Sequence, residues 1–314
     1  MTALPFRPDC KVTDFLKQHR FTRSAEIIPP RNGSEQRKVF EQIEILKNAG
    51  AQFLAVTKGA GGSLRGGSLP IAQAIKETFS IPTIAHFTCR DLLPAEVESH
   101  LIDHHYFGIR NILALRGDPA DGQAQWEPRA GGYNFAHELI SQIKALNQGT
   151  FMPRPGGPEQ IGHETTDFCI GAAVYPEFPD ATKRIDYFHA KVAAGAHFGI
   201  TDMLFDAEAY ARFLDQCSAR GIQVPILPGT RILKSRKQAE KMMHKFKVSI
   251  PHDYLNALPG ELATDAGPDG LKRGVELFLK LSERLERLGA PGIHLFVISD
   301  TSIAVLGLKE LAGI

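Results

Sequence analysis

The chain has 314 residues and a nearly balanced charge, since 36 Lys and Arg residues face 35 Asp and Glu residues for a formal net charge of +1. This balance argues against a nucleic-acid-binding protein and against attachment to an anionic membrane surface. Hydrophobic residues make up 43% and charged residues 23%, a globular composition that excludes disordered and fibrous classes. No apolar run approaches the ~20 residues that span a bilayer. The N-terminal segment lacks the apolar core of a signal peptide, and the four cysteines form no CxxC pair. We therefore predict a cytoplasmic protein with reduced thiols and no metal site.

Short apolar runs recur along the chain, and several are apolar without alternation, as expected of strands buried on both faces. The eight predicted strands cover residues 24–28, 51–56, 83–87, 112–115, 169–174, 198–201, 224–227 and 294–298.

Helical patterns separate these runs. The first pairs Val39 and Ile43 at helical spacing, with Asn32 or Ser34 predicted as its N-cap and Gly50 as its end. Further helices are predicted from Pro94, between Asn134 and Gly149, and over residues 270–288.

Strands that alternate with helices indicate parallel pairing and right-handed crossovers. About eight such units predict a single (β/α)8 barrel domain over residues 1–314. Neither GxGxxG after the first strand nor GxxxxGK[ST] occurs, so Rossmann and P-loop folds are disfavoured. The Pro- and Gly-rich segment 149–167 is predicted to be an insertion at the N-terminal face of the barrel, away from the chemistry.

Polar residues follow the predicted strands at the end of the barrel where active sites form. Glu26 lies among apolar residues, which favour the neutral acid, so it is either a general acid or the partner of Arg31 or Arg116. His86 is either a site residue or a packed barrel histidine, and Asp118 either binds substrate or caps the next segment.

Two further features favour simpler interpretations. Lys58 is a candidate Schiff-base lysine, but its glycine-rich surroundings predict a solvated amine, which disfavours an aldolase. His104 and His105 are adjacent on a helix and do not share a face, so we expect solvated or capping roles and no metal site. Lys191, on a helix among Ala and Val, suits a phosphate contact.

Together these strand-end segments resemble the methylenetetrahydrofolate reductase family over most of the chain. The matching segments are 26–31 (EIIPPR), 56–60 (VTKGA), 85–89 (AHFTC), 108–118 (GIRNILALRGD), 175–177 (YPE), 191–196 (KVAAGA) and 228–229 (PG).

The resemblance implies a (β/α)8 flavoenzyme that interconverts 5,10-methylenetetrahydrofolate and 5-methyltetrahydrofolate, with FAD and with NADH or NADPH. It also implies a small-molecule folate substrate and a homo-oligomer. By the same resemblance, Glu26 protonates the folate and Asp118 stabilises the cation that ring opening creates. The positions implied to contact FAD are Thr57, His86, Arg116, Gly117, Asp118, Ala173, Tyr175 and Lys191.

The chain departs from the family pattern at several site positions. The family's tyrosine after the second-strand threonine is Lys58 here, and its histidine after YPE is absent, because FPDA with Pro179 follows instead. At the positions that bind substrate, a glutamine is replaced by Asp202 and an aromatic residue by Met242, and a late arginine is Asp300. These departures leave two alternatives open: direct reduction by NADH without flavin, or a folate-binding partner subunit of a methyltransferase system.

Overall fold

The computed structural model describes residues 6–30, 33–59, 66–119, 126–153, 164–260, 267–298 and 301–314. Eight parallel strands form a closed barrel in chain order, which confirms the predicted (β/α)8 fold. The strands are β1 Thr22–Ile27, β2 Phe53–Val56, β3 Thr83–Thr88, β4 Asn111–Leu115, β5 Cys169–Val174, β6 Phe198–Met203, β7 Ile226–Thr230 and β8 Gly292–Leu295.

Apart from α1, which precedes β1, the described helices follow the strands along the chain. They are α1 Val12–Gln18, α2 Gln36–Asn48, α3 Ser68–Phe79, α4 Pro94–Tyr106, α5 Ala136–Asn147, α6 Ala181–Ala194, α7 Ala207–Ala219, α8 Arg236–Phe246, α9 His252–Ala257, α10 Gly267–Arg287 and α11 Thr301–Ala312. Among the described residues, no helix is both long and apolar enough to cross a membrane.

All eight predicted strands overlap the observed ones, and only β5 has both predicted bounds. The shifts at β6 and β7 matter for the site. β6 continues through Met203 after a register shift between Ile200 and Met203, so Asp202 lies inside a strand rather than after it. β7 runs to Thr230 and therefore delivers Arg231 to the C-terminal end of the barrel.

The predicted helix caps are partly wrong. Pro94 does begin α4, but α2 is preceded by Glu35 in a left-handed conformation with no side-chain cap. Ser34 is therefore not its N-cap, and Asn32 lies outside the described residues. At α5, the side chain of Glu138 accepts from the backbone N–H of Phe135, which takes the capping position in place of Asn134.

The lower part of the barrel interior, towards the N-terminal ends of the strands, is apolar. Phe53, Ile84, Phe198 and Leu227 pack there with α1, a helix that the sequence analysis missed. A second and larger core lies between the outer faces of the strands and the helices. Because the lower interior is filled, polar side chains in the barrel gather at its C-terminal end, the mouth of the barrel.

The predicted insertion 149–167 is described only at its two ends, which contain no helix or strand. Met152 donates its backbone N–H to Glu98 at 2.6 Å. Asp167 forms ion pairs with Arg110 and Lys11, which precede β4 and α1. The end of the segment at Asp167 therefore lies at the N-terminal face of the barrel, opposite the mouth.

Candidate active site

Glu26 occupies the centre of the predicted site. Successive strand residues alternate between the two faces of the barrel wall, and Glu26 points inward from β1 with only 8% of its surface exposed. Its Oε2 lies 3.6 Å from Nε2 of His86 and 4.0 Å from Nε2 of His294. Of the two predicted arginine partners, Arg31 lies outside the described residues and Arg116 contacts Trp126 instead. Two imidazoles therefore surround this carboxyl group.

His294, which the sequence analysis did not select, is held in one orientation by Ser24. The Ser24 hydroxyl donates to the carbonyl of Ile293 at 3.2 Å and lies 2.9 Å from Nδ1 of His294. Because its only hydrogen is used on Ile293, the hydroxyl accepts from Nδ1–H. Nε2 is then the atom that faces Glu26. His294 could have been found from the sequence, because a histidine on β8 and a serine on β1 are polar residues within otherwise apolar strands.

His86 is a neutral base in this environment. Burial lowers the pKa of His86 to about 4, against the opposing effect of the Glu26 charge. Its Nε2 is buried and has no hydrogen-bond partner among the described residues, and the same holds for Oγ1 of Thr57, which directly follows the neighbouring strand β2. A buried polar atom without a partner is costly, so these two atoms mark positions where a bound molecule can supply hydrogen bonds.

Asp118 occupies the rim of the mouth, in a different environment from Glu26. It is exposed, and its backbone carbonyl accepts a hydrogen bond of 2.7 Å from Arg90. The turn depends on Gly117, whose φ is +101° and where a Cβ would lie 2.8 Å from Cβ of Arg90. The sequence RGD thus places a solvated carboxylate above a buried one.

Asp202 adds a third carboxyl group to this cluster. Its Oδ1 accepts from the backbone N–H of Met203 at 2.7 Å. Burial and the charges of Glu26 and Asp118 raise the pKa of Asp202. Burial, with smaller effects of the Asp202 and Asp118 charges, raises the pKa of Tyr175 to about 12. Three acidic groups in one mouth favour a ligand that carries or develops positive charge.

Two cationic side chains line the other side. Lys191 donates to the carbonyl of Ala173 at 2.7 Å, and its Nζ lies 5.4 Å from the centre of the Tyr175 ring. Burial and the nearby Arg116 lower the pKa of Lys191 to about 8. The Arg116 guanidinium lies 4.8 Å from the centre of the Trp126 ring. None of the ion pairs among the described residues includes Lys191 or Arg116, so this pair has unused capacity for an anion.

Met242 lies near the mouth but at its edge. It is buried on α8, and its sulfur is 3.4 Å from Nη1 of Arg231, which donates through Nη2 to the carbonyl of Ile298. A cavity of about 160 Å³ separates the ends of β5 and β6 from the end of α8, with Tyr175, Asp202 and Phe246 in its lining. Asp300 lies outside the described residues.

The expectation of a solvated Lys58 is wrong. Its Nζ lies 4.1 Å from the centre of the buried Phe87 ring, and burial lowers the pKa of Lys58 to about 8. Phe87 faces the helices rather than the barrel interior, so Lys58 is directed away from Glu26. The position lacks the access to the mouth that a Schiff-base lysine there would need.

His104 is also not solvated. Its Nδ1–H donates to the carbonyl of His100 at 2.6 Å, and its ring packs edge-on against Phe87. With 5% of its surface exposed, it is a core histidine, and burial lowers the pKa of His104 to about 4. His105 lies near Asp167 at the opposite face.

Comparison with known proteins agrees with this geometry. A sequence profile of the family described as methylenetetrahydrofolate reductase matches residues 11–311. The chain belongs to the methylenetetrahydrofolate reductase family. It is 30% identical to 5,10-methylenetetrahydrofolate reductase of Escherichia coli over 291 residues, which cover 91% of this chain and 89% of that protein.

Eukaryotic relatives of the family are longer. The chain is 28% identical to methylenetetrahydrofolate reductase 1 of Schizosaccharomyces pombe and to a probable methylenetetrahydrofolate reductase (NADH) of Oryza sativa, covering 44% and 50% of their lengths. It therefore spans about half the length of these two relatives. A solved structure from Clostridium thermocellum, described as binding two copies of 5-methyl-5,6,7,8-tetrahydrofolic acid, shares the fold with a TM-score of 0.59 and 16% identity, over 95% of this chain and 98% of that one.

Proposed function

We propose that residues 1–314 form one catalytic domain that reduces 5,10-methylenetetrahydrofolate to 5-methyltetrahydrofolate, with NADH or NADPH as the electron source and FAD as the carrier. The observation that carries the proposal is the buried Glu26 between two imidazoles, below the rim carboxylate of Asp118. Family membership supports the same chemistry. The substrate in this proposal is a small folate molecule.

The residues present fit a flavin dinucleotide. The unpaired polar atoms of Thr57 and His86 are available at the mouth. Ala173, a small residue on β5, holds Lys191 through its backbone carbonyl. Arg116 and Lys191 lie close together without an anionic partner among the described residues, an arrangement suited to a diphosphate. These residues would hold FAD, which, when bound, supplies the hydride-transfer chemistry between pyridine nucleotide and folate.

The carboxyl groups divide the acid–base work. Opening the five-membered ring of methylenetetrahydrofolate requires a proton on nitrogen and creates a cationic iminium. Glu26, buried in the barrel, is placed to hold and deliver that proton, while Asp118 and Asp202 stabilise the positive charge from the rim. Two carboxyl groups in different environments can perform opposite roles at the same pH.

Water exclusion and orientation come from the walls of the barrel. Apolar side chains fill the lower interior, so a ligand above Glu26 is shielded from below. Ser24 and His294 fix the geometry around the carboxyl group. His294 is thus a positioning residue in the proposed reaction.

The test compares wild type with Glu26→Gln, using NADH oxidation in the presence of 5,10-methylenetetrahydrofolate. Loss of a general acid lowers turnover by about 10²- to 10⁴-fold, while folate binding and the visible absorption spectrum stay unchanged. Glu283→Gln, an exposed carboxyl group on α10, is the matched control and keeps full turnover. A Glu26→Gln variant within twofold of wild type would contradict the assignment.

The same preparation separates the alternatives. A yellow protein whose activity requires FAD supports the proposal. Colourless protein that oxidises NADH with folate and without added flavin supports direct hydride transfer. Folate binding without NADH consumption under any flavin supplement supports a folate-binding partner subunit.

A further inference from the structure

The turn that carries Asp118 packs directly against the side chain of Arg90. β3 and β4 pair in parallel, and the pairing continues past the ends of both strands. There the backbone N–H of Arg90 donates to the carbonyl of Arg116 at 3.0 Å. A Cβ at Gly117 would lie 2.8 Å from Cβ of Arg90 and 3.5 Å from its Cδ. The aliphatic stem of Arg90 therefore lies in contact with the middle of the turn.

The guanidinium of Arg90 binds the far end of the same turn. Its Nη1 donates to the backbone carbonyl of Asp118 at 2.7 Å, and a hydrogen bond from a charged donor is stronger than one between neutral groups. In the part of the chain that the structure describes, Asp118 forms no other hydrogen bond. Only 11% of the Arg90 side chain is exposed, which strengthens the bond further. One residue thus holds the turn at both ends, through its backbone at Arg116 and through its side chain at Asp118.

Asp91 fixes the orientation of this guanidinium. Its Oδ2 accepts from Nε of Arg90 at 2.7 Å. Because the guanidinium is planar and rigid, fixing Nε also fixes the direction of Nη1. Asp91 has a φ of +65°, a conformation that is uncommon for residues other than glycine and that aspartate tolerates better than most. The two side chains therefore form a fixed unit beside the turn.

We propose that Arg90 is a positioning residue, which keeps the Asp118 carboxylate at the place where positive charge develops on the folate. This inference rests on the proposed function, since it gives Arg90 an effect that acts only through Asp118. Electrostatic stabilisation of a transition state depends on groups that are in place before the charge develops. Glu26 lies within a strand, whereas Asp118 lies on an exposed turn. The place of Asp118 therefore depends on the contacts of Arg90.

The proposal predicts a loss that is selective for one of two activities. Reduction of 5,10-methylenetetrahydrofolate creates a cation near Asp118, whereas NADH oxidation with ferricyanide as acceptor does not. Since a displacement of about 1 Å can lower a rate about 10²-fold, Arg90→Met should lower kcat for folate reduction roughly 10- to 100-fold. Its KM for folate should change less than kcat, and its ferricyanide activity should stay close to that of wild type.

The experiment measures both activities in the FAD-loaded holoenzyme for wild type, Arg90→Met, Asp118→Asn and the double variant. If Arg90 acts through Asp118, the double variant reduces folate as slowly as Asp118→Asn alone, because the carboxylate to be positioned is already gone. Arg90→Lys keeps the charge but offers a point donor in place of a planar fork. It should show a smaller loss of the same selectivity, and it takes the place of Arg90→Met in the comparison if that variant does not fold.

Arg23→Met is the matched control. Arg23 also donates to a backbone carbonyl, that of Gly50 at 3.1 Å, but it lies on β1 towards the N-terminal end of the barrel, away from the mouth. The control therefore loses a bond of the same kind and should keep both activities.

Three outcomes would overturn the inference. Equal losses of folate reduction and ferricyanide reduction in Arg90→Met would assign Arg90 to the stability of the fold. Losses that multiply in the double variant would show that Arg90 acts independently of Asp118. A wild-type protein that oxidises NADH with ferricyanide and leaves 5,10-methylenetetrahydrofolate unreduced would contradict the proposed function itself, on which the inference rests.

Discussion

Nε2 of His294 lies 4.0 Å from Oε2 of Glu26, and the two residues come from opposite ends of the chain. β1 and β8 pair in parallel and close the barrel, with Ser24 directly opposite His294 in the register. Closure therefore brings the hydroxyl, the imidazole and the carboxyl group together in one inward-facing row.

Replacing His294 should change the surroundings of Glu26 while the Glu26 carboxyl group itself stays in place. We expect His294→Gln to lower kcat roughly tenfold, a fraction of what a general acid contributes, and to alter the pH profile of kcat with little change in KM. Ser24→Ala should act in the same direction and more weakly, because it frees the imidazole without deleting it. His104→Gln, a buried histidine outside the mouth, is the control. An unaltered pH profile in His294→Gln would show that the residue is structural only.

Lys191 should control dinucleotide affinity. A charge-assisted contact is worth about 1.5–3 kcal/mol, so Lys191→Met should weaken FAD binding by roughly 10- to 100-fold. Trp126 is the chain's only tryptophan and contacts Arg116, so quenching of its fluorescence reports binding. Lys309→Met, at an exposed position, should leave the affinity unchanged.

The same lysine predicts a pH dependence. Since the pKa of Lys191 is lowered to about 8, the free protein loses this positive charge as pH rises through 8. FAD affinity of wild type should therefore fall above pH 8, while Lys191→Met should show a flatter dependence over that range. Parallel titration curves for the two proteins would contradict the role of Lys191.

Asp202 should stabilise the positive charge that develops on the folate during the reaction, in addition to any contribution to folate binding. We expect Asp202→Asn to lower kcat about tenfold, with a smaller change in KM, because a carboxylate near a developing cation lowers the barrier. Because the pKa of Asp202 is raised, wild type loses this negative charge as pH falls. Part of the decrease in kcat at low pH should therefore be missing in the variant. Asp186→Asn, which alters an exposed ion pair with Arg220, is the control. A loss confined to KM would assign Asp202 to binding only.

His104 should make stability depend on pH. Its folded-state pKa of about 4 lies below the ordinary value of 6.5, so the unfolded chain takes up the proton first as pH falls. The stabilising contribution is complete above pH 6.5 and is lost as pH falls towards 4, by about 3 kcal/mol in total.

Urea denaturation at several pH values measures this effect. His104→Gln should lose less stability than wild type between pH 6.5 and 4, whereas His252→Gln, at an exposed position, should follow wild type. If all three proteins lose stability equally over this range, His104 does not titrate as its burial requires.

The sequence by itself determined the fold, because strands buried on both faces must be apolar throughout and helices must present one apolar side. It also selected Glu26 and His86 from their positions towards the ends of predicted strands, and both side chains lie in the barrel interior, with Oε2 of Glu26 3.6 Å from Nε2 of His86. Lys58 and His104 could not be placed in this way. Their burial depends on which face of the wall Phe87 occupies and on how closely α4 packs against it.

Only the tertiary structure decided the partners of Glu26. Nothing in the local sequence relates Ser24 to His294, because their register is set by closure of the barrel between the first strand and the last. The position of α8 beside the mouth was likewise decided by packing, through the contact of Met242 with Arg231. Local patterns dictate which faces are buried, whereas contacts between distant segments arise only when all eight strands close into one barrel.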